Sequence, residues 1–341
     1  MEDSDESIFY SITSKAFFII LTVFSVDYWL ICLSQYQNLM NKSSIFLNAQ
    51  LPVMGAWIAM MRKRKHLSLL LIKIGEISTP QHSVKFNIFS ILLFIFPSAF
   101  TFSLDMIYFE KHAVRNIFTY GYYIGNPTAQ AVLTIIKRML YLFIHPSFTQ
   151  LMALLYCLLC QRCTDSINHL TEEILRFRPE EFTPQKQIKV LKRKARIDDI
   201  LDTIQDVFSL TSFLLITASL MACINVVGRF LHVRWNGNFN PYETTLQAIC
   251  FFGIITSILW VAGGVTISGN RFKEAFYKKA HIRLIFGQEK EETRLQRGLF
   301  EAPDLELTGC GLISYKRSTL LGIIGTLITY TIVVVGLFKS C

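Results

Sequence analysis

The chain has 341 residues, of which 52% are hydrophobic and 17% charged, and its mean hydropathy is +0.38. Soluble domains rarely carry so large an apolar fraction, so the composition excludes an ordinary soluble protein and indicates an integral membrane protein. The formal net charge of +9 does not indicate nucleic-acid binding, because the basic residues lie in the gaps between the hydrophobic stretches.

Seven hydrophobic stretches follow an acidic N-terminal segment, 1–16, which lacks the basic region and small-residue cleavage site of a signal peptide. Each stretch is long enough to cross a hydrocarbon core of about 30 Å as a helix. They cover 17–33, 45–61, 86–104, 139–160, 207–227, 245–267 and 319–338. The sequence therefore predicts an all-α, multi-pass membrane protein with a seven-helix transmembrane domain, 17–338, and a short tail, 339–341.

Two polar features lie inside the predicted spans. Asp27 in the first span is costly at membrane depth, so it is expected to find either a partner on a neighbouring helix or an aqueous cavity. His145 precedes Pro146 in the fourth span, where proline removes a backbone hydrogen bond and kinks the helix. The imidazole either satisfies a freed carbonyl or contacts a ligand.

The distribution of basic residues predicts the orientation in the membrane. The second, fourth and sixth gaps (62–85, 161–206 and 268–318) hold 6, 9 and 10 Lys and Arg residues, whereas the odd-numbered gaps and the tail share only 8. The positive-inside rule places the even-numbered gaps and the N-terminus in the cytoplasm and the C-terminus outside. Asn41 begins an Asn-Lys-Ser glycosylation sequon in the first gap, which this orientation places outside.

The two longest cytoplasmic gaps show helical periodicity. In 161–206, two periodic segments flank a breaker region between Arg178 and Pro184, and the second segment continues toward the fifth span. In 268–318, a basic amphipathic helix follows the sixth span. These loops are predicted to bind anionic membrane lipids or to form a cytoplasmic helical anchor between subunits.

Missing motifs and the orientation disfavour several functions. A G-protein-coupled receptor has its N-terminus outside, and neither Asp-Arg-Tyr after the third span nor Asn-Pro-x-x-Tyr in the last span is present. Enzyme motifs are absent, so no catalytic residues and no cofactor are predicted. Cys157, Cys160 and Cys163 recur at three-residue spacing without a histidine-bearing partner motif, so no metal site is predicted.

The last span, 319–338, carries polar and small residues at three-to-four spacing, which places them on one helix face. The stripe comprises Thr326, Thr329, Tyr330, Val333, Gly336 and Leu337. Such a stripe is typical of a helix that lines water or packs on a polar partner. Threonine hydroxyls that bond back to the preceding turn, with glycines that allow close packing, would explain it equally well.

The last span also resembles that of arthropod gustatory receptors, in the insect chemoreceptor superfamily. Their motif is Thr-Tyr, five hydrophobic residues and Gln-Phe. Here Thr329-Tyr330 and five such residues precede Gly336-Leu337, and the small-residue turn 309–315 also resembles the family. The altered second half of the motif indicates a divergent member. The resemblance implies a homotetramer or heterotetramer in the plasma membrane that acts as a ligand-gated, non-selective cation channel in taste perception.

In that family each subunit contributes its last helix to a central pore, so the stripe on 319–338 would line it. Val333 and Leu337 would form an apolar constriction that closes the pore by excluding water. Gly336 replaces the family's glutamine, which suggests weak selectivity among monovalent cations, with calcium as a further permeant ion. A metabotropic seven-helix receptor and a non-conducting accessory subunit remain the alternatives.

The resemblance further implies a pocket for a small-molecule tastant in the outer halves of the second to sixth spans. Aromatic side chains with a few polar groups suit small organic ligands, although aromatics in such spans also serve packing. The candidate lining residues are Phe102, Asp105, Tyr108, Tyr141, Phe143, His145, Asn225, Gln247, Phe251 and Phe252.

Overall fold

The computed structural model describes residues 16, 19–27, 30, 44–77, 119, 120, 122, 124–142, 148–236, 241–286 and 306–339. Within these residues the protein is mostly helical, as the sequence predicts. We number the helices in chain order as α1 (19–27), α2 (Ser44–Arg62), α3 (Arg64–Ile77), α4 (Pro127–Leu142), α5 (Phe148–Arg176), α6 (Pro184–Asn236), α7 (Pro241–Phe286) and α8 (Arg317–Lys339).

Proline residues mark where several helices begin. Pro127, Pro184 and Pro241 each occupy the first position of a helix, where the missing N–H has no intrahelical partner to lose. Pro179 opens a short 3₁₀ helix, Pro179–Glu181, between α5 and α6. The predicted breaker region therefore separates two helices, and α6 continues without interruption from the predicted cytoplasmic segment through the fifth span.

Among the described residues, two helices contain segments that are long and apolar enough to cross a membrane, within Pro184–Gly228 of α6 and Thr245–Arg283 of α7. The shorter apolar segments Leu51–Arg62 and Arg317–Val333 lie in α2 and α8. The predicted third span, 86–104, lies outside the described residues, as do 143–147 with His145 and Pro146. Seven spans and their orientation therefore stay predictions.

The core lies where α5, α6 and α7 pack together, with α2 packed against α6. Phe182 follows the 3₁₀ helix and is fully buried, with its ring centroid 5.3 Å from that of Phe276 on α7 and 5.9 Å from that of Phe177. Burying large aromatic side chains removes apolar surface from water, so this cluster stabilises the end of the helix bundle that contains the 3₁₀ helix.

A two-stranded hairpin leads into α8. Strand β1 (Thr308–Gly309) pairs antiparallel with β2 (Ile313–Ser314). Cys310 and Gly311 between them have φ values of 54° and 68°, and the Leu312 N–H donates to the Gly309 carbonyl at 2.9 Å. Two consecutive positive φ values are typical of a type I′ turn, and the pairing of Gly309 with Ile313 leaves three residues, 310–312, in the hairpin loop. The predicted small-residue turn before the last helix is thus a hairpin.

Candidate functional site

Helix α8 packs on the rest of the chain along only one side. Leu320, Ile323 and Leu327 are partly buried and contact the hydrophobic core formed by the other helices. These positions fall on one arc of the helix at 100° per residue. None of the described residues covers the opposite arc, which is therefore open to lipid, to water or to a further partner.

The uncovered side of α8 divides into two stripes of different chemistry. One is aliphatic, with Leu321, Ile328 and Ile332 exposed by 71%, 55% and 66%. The other is small and polar and contains Gly322, Gly325, Thr326, Thr329, Val333 and Gly336. Thr326, Thr329, Val333 and Gly336 of the predicted stripe thus lie together on this second stripe.

The other two predicted stripe residues are placed less fully. Tyr330 is half-buried at the border between the packed side and the small, polar stripe. Leu337 lies in α8, but its side chain is outside the described set. The constriction predicted for Val333 and Leu337 therefore stays a prediction.

The threonine hydroxyls bond within the helix. Thr326 Oγ1 donates to the Gly322 carbonyl and Thr329 Oγ1 to the Gly325 carbonyl, both at 2.9 Å. Each hydroxyl therefore donates its proton to a carbonyl of the preceding turn, and its oxygen can still accept a hydrogen bond. The uncovered stripe can consequently offer oxygen acceptors to water or to a cation, even though the hydroxyl protons are satisfied locally.

The glycines of α8 do not pack against the other described residues. An added Cβ at Gly322, Gly325 or Gly336 would meet no atom within 4 Å. In contrast, a Cβ at Gly263 on α7 would come 3.1 Å from the Arg317 backbone nitrogen. The α8 glycines therefore leave room for the approach of a surface that the described helices do not supply.

The hairpin holds the start of α8 against α6 through a polar network. The Gln205 side chain donates to the Thr308 carbonyl at 2.8 Å and accepts from the Thr308 N–H at 3.0 Å. Ser209 Oγ accepts from the Cys310 N–H at 2.8 Å. Because Gln205 and Ser209 lie one turn apart on α6, the hairpin is fixed along one face of that helix.

Tyr315 anchors the end of the hairpin in the core. Its side chain is 1% exposed, and its hydroxyl lies 2.8 Å from Ser212 Oγ on α6. Burial raises the pKa of Tyr315, although the hydrogen bond with Ser212 acts in the opposite direction. The phenol therefore stays protonated and remains available as a hydrogen-bond donor.

A second contact fixes the start of α8 against α7. The Arg317 guanidinium lies 4.1 Å from the ring centroid of Trp260, a cation–π distance. Gly263, one turn later on α7, leaves room for the Arg317 backbone. The start of α8 is thus held by two neighbouring helices, whereas the uncovered stripes lie along the rest of the helix.

An apolar groove runs between α7 and the middle of α8. It has a volume of about 350 Å³ and is lined by Phe252, Ile324, Leu327, Ile328, Thr331 and Ile332. The Thr331 hydroxyl donates to the Leu327 carbonyl at 2.7 Å, so the groove presents mainly carbon. Phe252, predicted to line the ligand pocket, is thus placed beside α8.

The remaining ligand-pocket candidates are only partly covered by the structure. Asn225 on α6 is buried, and Gln247 and Phe251 on α7 are half-buried. Tyr141 lies in α4, but its side chain is not among the described ones. Phe102, Asp105, Tyr108, Phe143 and His145 lie outside the described residues, as does Asn41. The pocket therefore stays a prediction.

Asp27 pairs with residues that the sequence does not single out. Its carboxylate accepts from Lys137 Nζ on α4 at 2.9 Å and from the Tyr120 hydroxyl. The side chains of Asp27 and Lys137 are each only 15% exposed. Of the two environments predicted for Asp27, the structure shows a partner on a neighbouring helix. Across the described ranges, no group of three His, Cys, Asp or Glu residues could hold a metal ion.

Two related solved structures resemble the chain over nearly its whole length. The structure of the insect olfactory receptor OR5 from Machilis hrabei has a TM-score of 0.65 at 14% sequence identity, covering 96% of this chain and 89% of that chain. The same receptor in complex with eugenol has a TM-score of 0.67 at 14% identity, covering 97% and 90%. No family model and no curated protein matches the sequence. The chain has the fold of an insect olfactory receptor, which confirms the predicted resemblance to the chemoreceptor superfamily at the level of fold.

Proposed function

We propose that the protein is a chemosensory receptor that acts as a ligand-gated cation channel, with α8 of each subunit lining a shared pore. The observation that carries this proposal is the uncovered small, polar stripe on α8, opposite a packed apolar side. A stripe that faced lipid would need no threonines, because polar groups in hydrocarbon gain nothing from exposure.

The chemistry of the stripe suits a conduit for cations. Thr326 and Thr329 present hydroxyl oxygens whose protons are already donated to the helix backbone, so the free lone pairs point away from it. Val333, exposed by 53%, lies one turn further along the same stripe. A ring of valines from several subunits would exclude water, and a small outward shift would readmit it.

One α8 cannot enclose a pore, so the proposal requires an oligomer. Closed rotational symmetry is the common arrangement for such assemblies, and the resemblance to gustatory receptors favours four copies. The glycines of the stripe, which meet nothing within the chain, leave room for symmetry-related helices to approach. The helical segments 161–206 and 268–318 would join the subunits on the cytoplasmic side.

The ligand of this receptor is proposed to be a small organic tastant. Machilis hrabei OR5, which shares the fold, has been solved in complex with eugenol, and this supports a small-molecule pocket. The candidate pocket residues in the outer halves of the spans, including Asn225, Gln247 and Phe251, would line it. The receptor would lie in the plasma membrane with its N-terminus in the cytoplasm.

Cysteine scanning of α8 tests the pore assignment. Thr326, Thr329 and Val333 are replaced one at a time by cysteine, and cells expressing each variant are treated with a small, cationic, water-soluble thiol reagent. Ligand-free current and eugenol-evoked current are recorded. Modification is expected to reduce the current at all three positions, since each lies on the small, polar stripe.

Matched controls lie on the other two sides of the same helix. Leu320→Cys and Leu327→Cys place the thiol against the core, and Ile328→Cys and Ile332→Cys place it on the exposed aliphatic stripe. These four variants are expected to resist a reagent that does not enter lipid. If modification reduced the current equally in Ile332→Cys and Val333→Cys, the pore assignment would be contradicted. The reagent would then reach both exposed stripes alike, and the small, polar stripe would have no special role in conduction.

The same cells separate the channel from its alternatives. An accessory subunit would give no current when expressed alone at the cell surface. A metabotropic receptor would give responses that need a G protein and that cysteine modification of α8 leaves unblocked. Counting subunits by stepwise photobleaching of a fluorescent fusion is expected to give four.

A further inference from the structure

Three side chains from distant parts of the sequence form one partly buried polar cluster. Lys137 Nζ lies 2.9 Å from Asp27 Oδ1 and 3.2 Å from the Tyr120 hydroxyl. The same ammonium lies 4.4 Å from the centroid of the Tyr120 ring. Asp27 belongs to α1, Lys137 belongs to α4, and Tyr120 belongs to the loop that precedes α4. The cluster therefore joins three elements at one point.

Asp27 and Lys137 form an ion pair whose two side chains are each only 15% exposed. Because neither group has much access to water, removing one charge deprives the other of an ion-pair partner in a poorly hydrated site. Burial raises the pKa of Tyr120, and its hydrogen bond to Asp27 acts in the same direction. The phenol consequently stays protonated and donates to the carboxylate.

Tyr120 is held in an unfavourable backbone conformation. Its φ is 56°, in the left-handed region that a bulky residue rarely adopts. The neighbouring Thr119 is fixed to the loop and to α4, since its Oγ1 donates to the Tyr122 carbonyl at 2.7 Å and accepts from Gln130 Nε2 at 3.3 Å. A strained residue persists only where its surroundings hold it, and such residues are concentrated in elements that switch.

The loop passes directly into α4. Asn126 caps this helix, because its Oδ1 accepts from the Thr128 N–H at 3.0 Å and the Ala129 N–H at 3.3 Å. Tyr141, a candidate ligand-pocket residue, follows Lys137 by one helical turn. Loop and helix thus form one unit that connects the cluster to the predicted pocket.

We propose that Asp27, Lys137 and Tyr120 are positioning residues that hold α4 and its preceding loop against α1 in the resting receptor. This inference rests on the proposed channel function. Release of the cluster lets the loop and α4 move together and allows Tyr120 to leave its left-handed conformation. The cluster then sets how often the channel opens without ligand.

The first measurement reports the position of α4 without requiring current. Ala131 lies on the buried side of α4 and is 8% exposed, so Ala131→Cys supplies a reporter thiol. Its rate of modification by a membrane-impermeant maleimide is compared with that of the same chain lacking the reporter. We expect Asp27→Asn and Lys137→Met each to raise the rate at least about fivefold, the lower end of typical coupling between sites.

The second measurement is ligand-free cation current, normalised to the amount of protein at the cell surface. Asp27→Asn and Lys137→Met are expected to raise it by a similar factor. The exchanged pair D27K/K137D restores opposite charges, so both the labelling rate and the current should return to within about twofold of the unmodified chain. The rescue distinguishes a specific pair from general loosening, which an exchange of charges would not repair.

Ser25→Ala is the matched control. Ser25 is buried on α1 two residues before Asp27, and its hydroxyl donates within the same helix to the Leu21 carbonyl at 2.7 Å. This variant should leave labelling and current unchanged. The inference is overturned if the single variants match Ser25→Ala, or if the exchanged pair behaves as the sum of the single variants. If surface-expressed chains carry no cation current in any variant, the proposed channel function fails. The maleimide labelling rate of Ala131→Cys still tests whether the cluster holds α4.

Discussion

Replacing Gly309 with alanine tests whether the hairpin fixes the start of α8. Gly309 has no positive φ, so its backbone conformation would accept alanine. The obstacle is space, because the added Cβ would collide with the Tyr315 hydroxyl and lie 3.0 Å from Tyr315 Cζ and 3.1 Å from Phe213 Cβ. Phe213 Cβ is attached directly to the backbone of α6, so it cannot rotate away.

The expected cost follows from these contacts. Overpacking a well-filled site costs about 1–3 kcal/mol. If Tyr315 is displaced, its hydrogen bond to Ser212 is also lost, at about 0.5–1.5 kcal/mol. Gly309→Ala should therefore destabilise the protein by roughly 2–4 kcal/mol, which lowers the melting temperature by several degrees in a chain of this size.

Thermal unfolding of purified protein in nanodiscs, followed by tryptophan fluorescence, measures the shift. The matched control is Gly253→Ala on α7, outside the α8 stripe, where an added Cβ meets nothing within 4 Å. Alanine is favoured over glycine inside a helix by about 0.8–1 kcal/mol, so this control should be neutral or stabilising. Equal melting temperatures for the two variants would refute the steric argument.

A double variant identifies the clashing group. Tyr315→Phe removes the hydroxyl that the Gly309→Ala methyl group would strike, while Ser212 Oγ keeps its bond to the Phe208 carbonyl at 2.7 Å. The combination G309A/Y315F should therefore be less destabilised than the sum of the two single variants. If the destabilisation of the double variant equals the sum of the two single variants, the cost of Gly309→Ala does not arise from contact with the Tyr315 hydroxyl.

Three further predictions concern other parts of the chain. Gly336→Gln should change the relative permeability of monovalent cations, measured as a shift in reversal potential, because position 336 is exposed and an added Cβ meets no atom within 4 Å; an unchanged reversal potential would count against a pore position. Cys163 should resist maleimide at pH 8 while exposed Cys310 reacts, because burial raises the pKa of the Cys163 thiol to about 12; peptide mapping reports both, and equal labelling would contradict the packing of α5. A hydrogen bond from Lys63 lowers the pKa of Asp206, so this contribution to stability is present above the carboxylate's unfolded pKa and is lost as pH falls through the folded one. Lys63→Met should weaken that acid dependence, while His66 Nδ1 stays 3.3 Å from Asp206 Oδ2, at a cost below about 1 kcal/mol at neutral pH because the pair is exposed. A melting curve whose acid dependence is unaltered would disprove it.

The sequence predicted those features of the fold that depend on local periodicity. The helical segments on either side of Pro179 and Pro184 are α5 and α6, and the small-residue turn 309–315 is a hairpin. The stripe on α8 was also predictable, because 3.6-residue periodicity alone places Thr326, Thr329 and Val333 on one face.

Contacts between distant residues could not be predicted in the same way. Lys137 is 110 positions from Asp27, and Thr308 is 103 positions from Gln205. Hydrophobic periodicity reports which side of a helix is apolar, but it does not report which helix lies opposite. The sequence could therefore show that Asp27 needs a partner without identifying Lys137 or Tyr120.

Both explanations of the α8 stripe concern contacts that the sequence does not contain. The threonine back-bonds exist, as the packing explanation expects. An added Cβ at the stripe glycines, however, meets no atom of the described residues within 4 Å, so packing against the described helices does not account for these glycines. That distinction depends on the position of neighbouring helices, which a single sequence does not contain.

The unbroken length of α6 has a mechanical consequence. Its 53 residues extend over about 80 Å, whereas the hydrocarbon core is only about 30 Å thick. Gln205 and Ser209, which hold the hairpin, lie about 30–40 Å from its first residue. Because the hairpin is attached near the middle of α6, a tilt of about 5° about this attachment moves a helix end 40 Å away by about 3.5 Å. A small rotation of α6 is thereby magnified at the far end of this helix, while the start of α8, close to the attachment point, moves little.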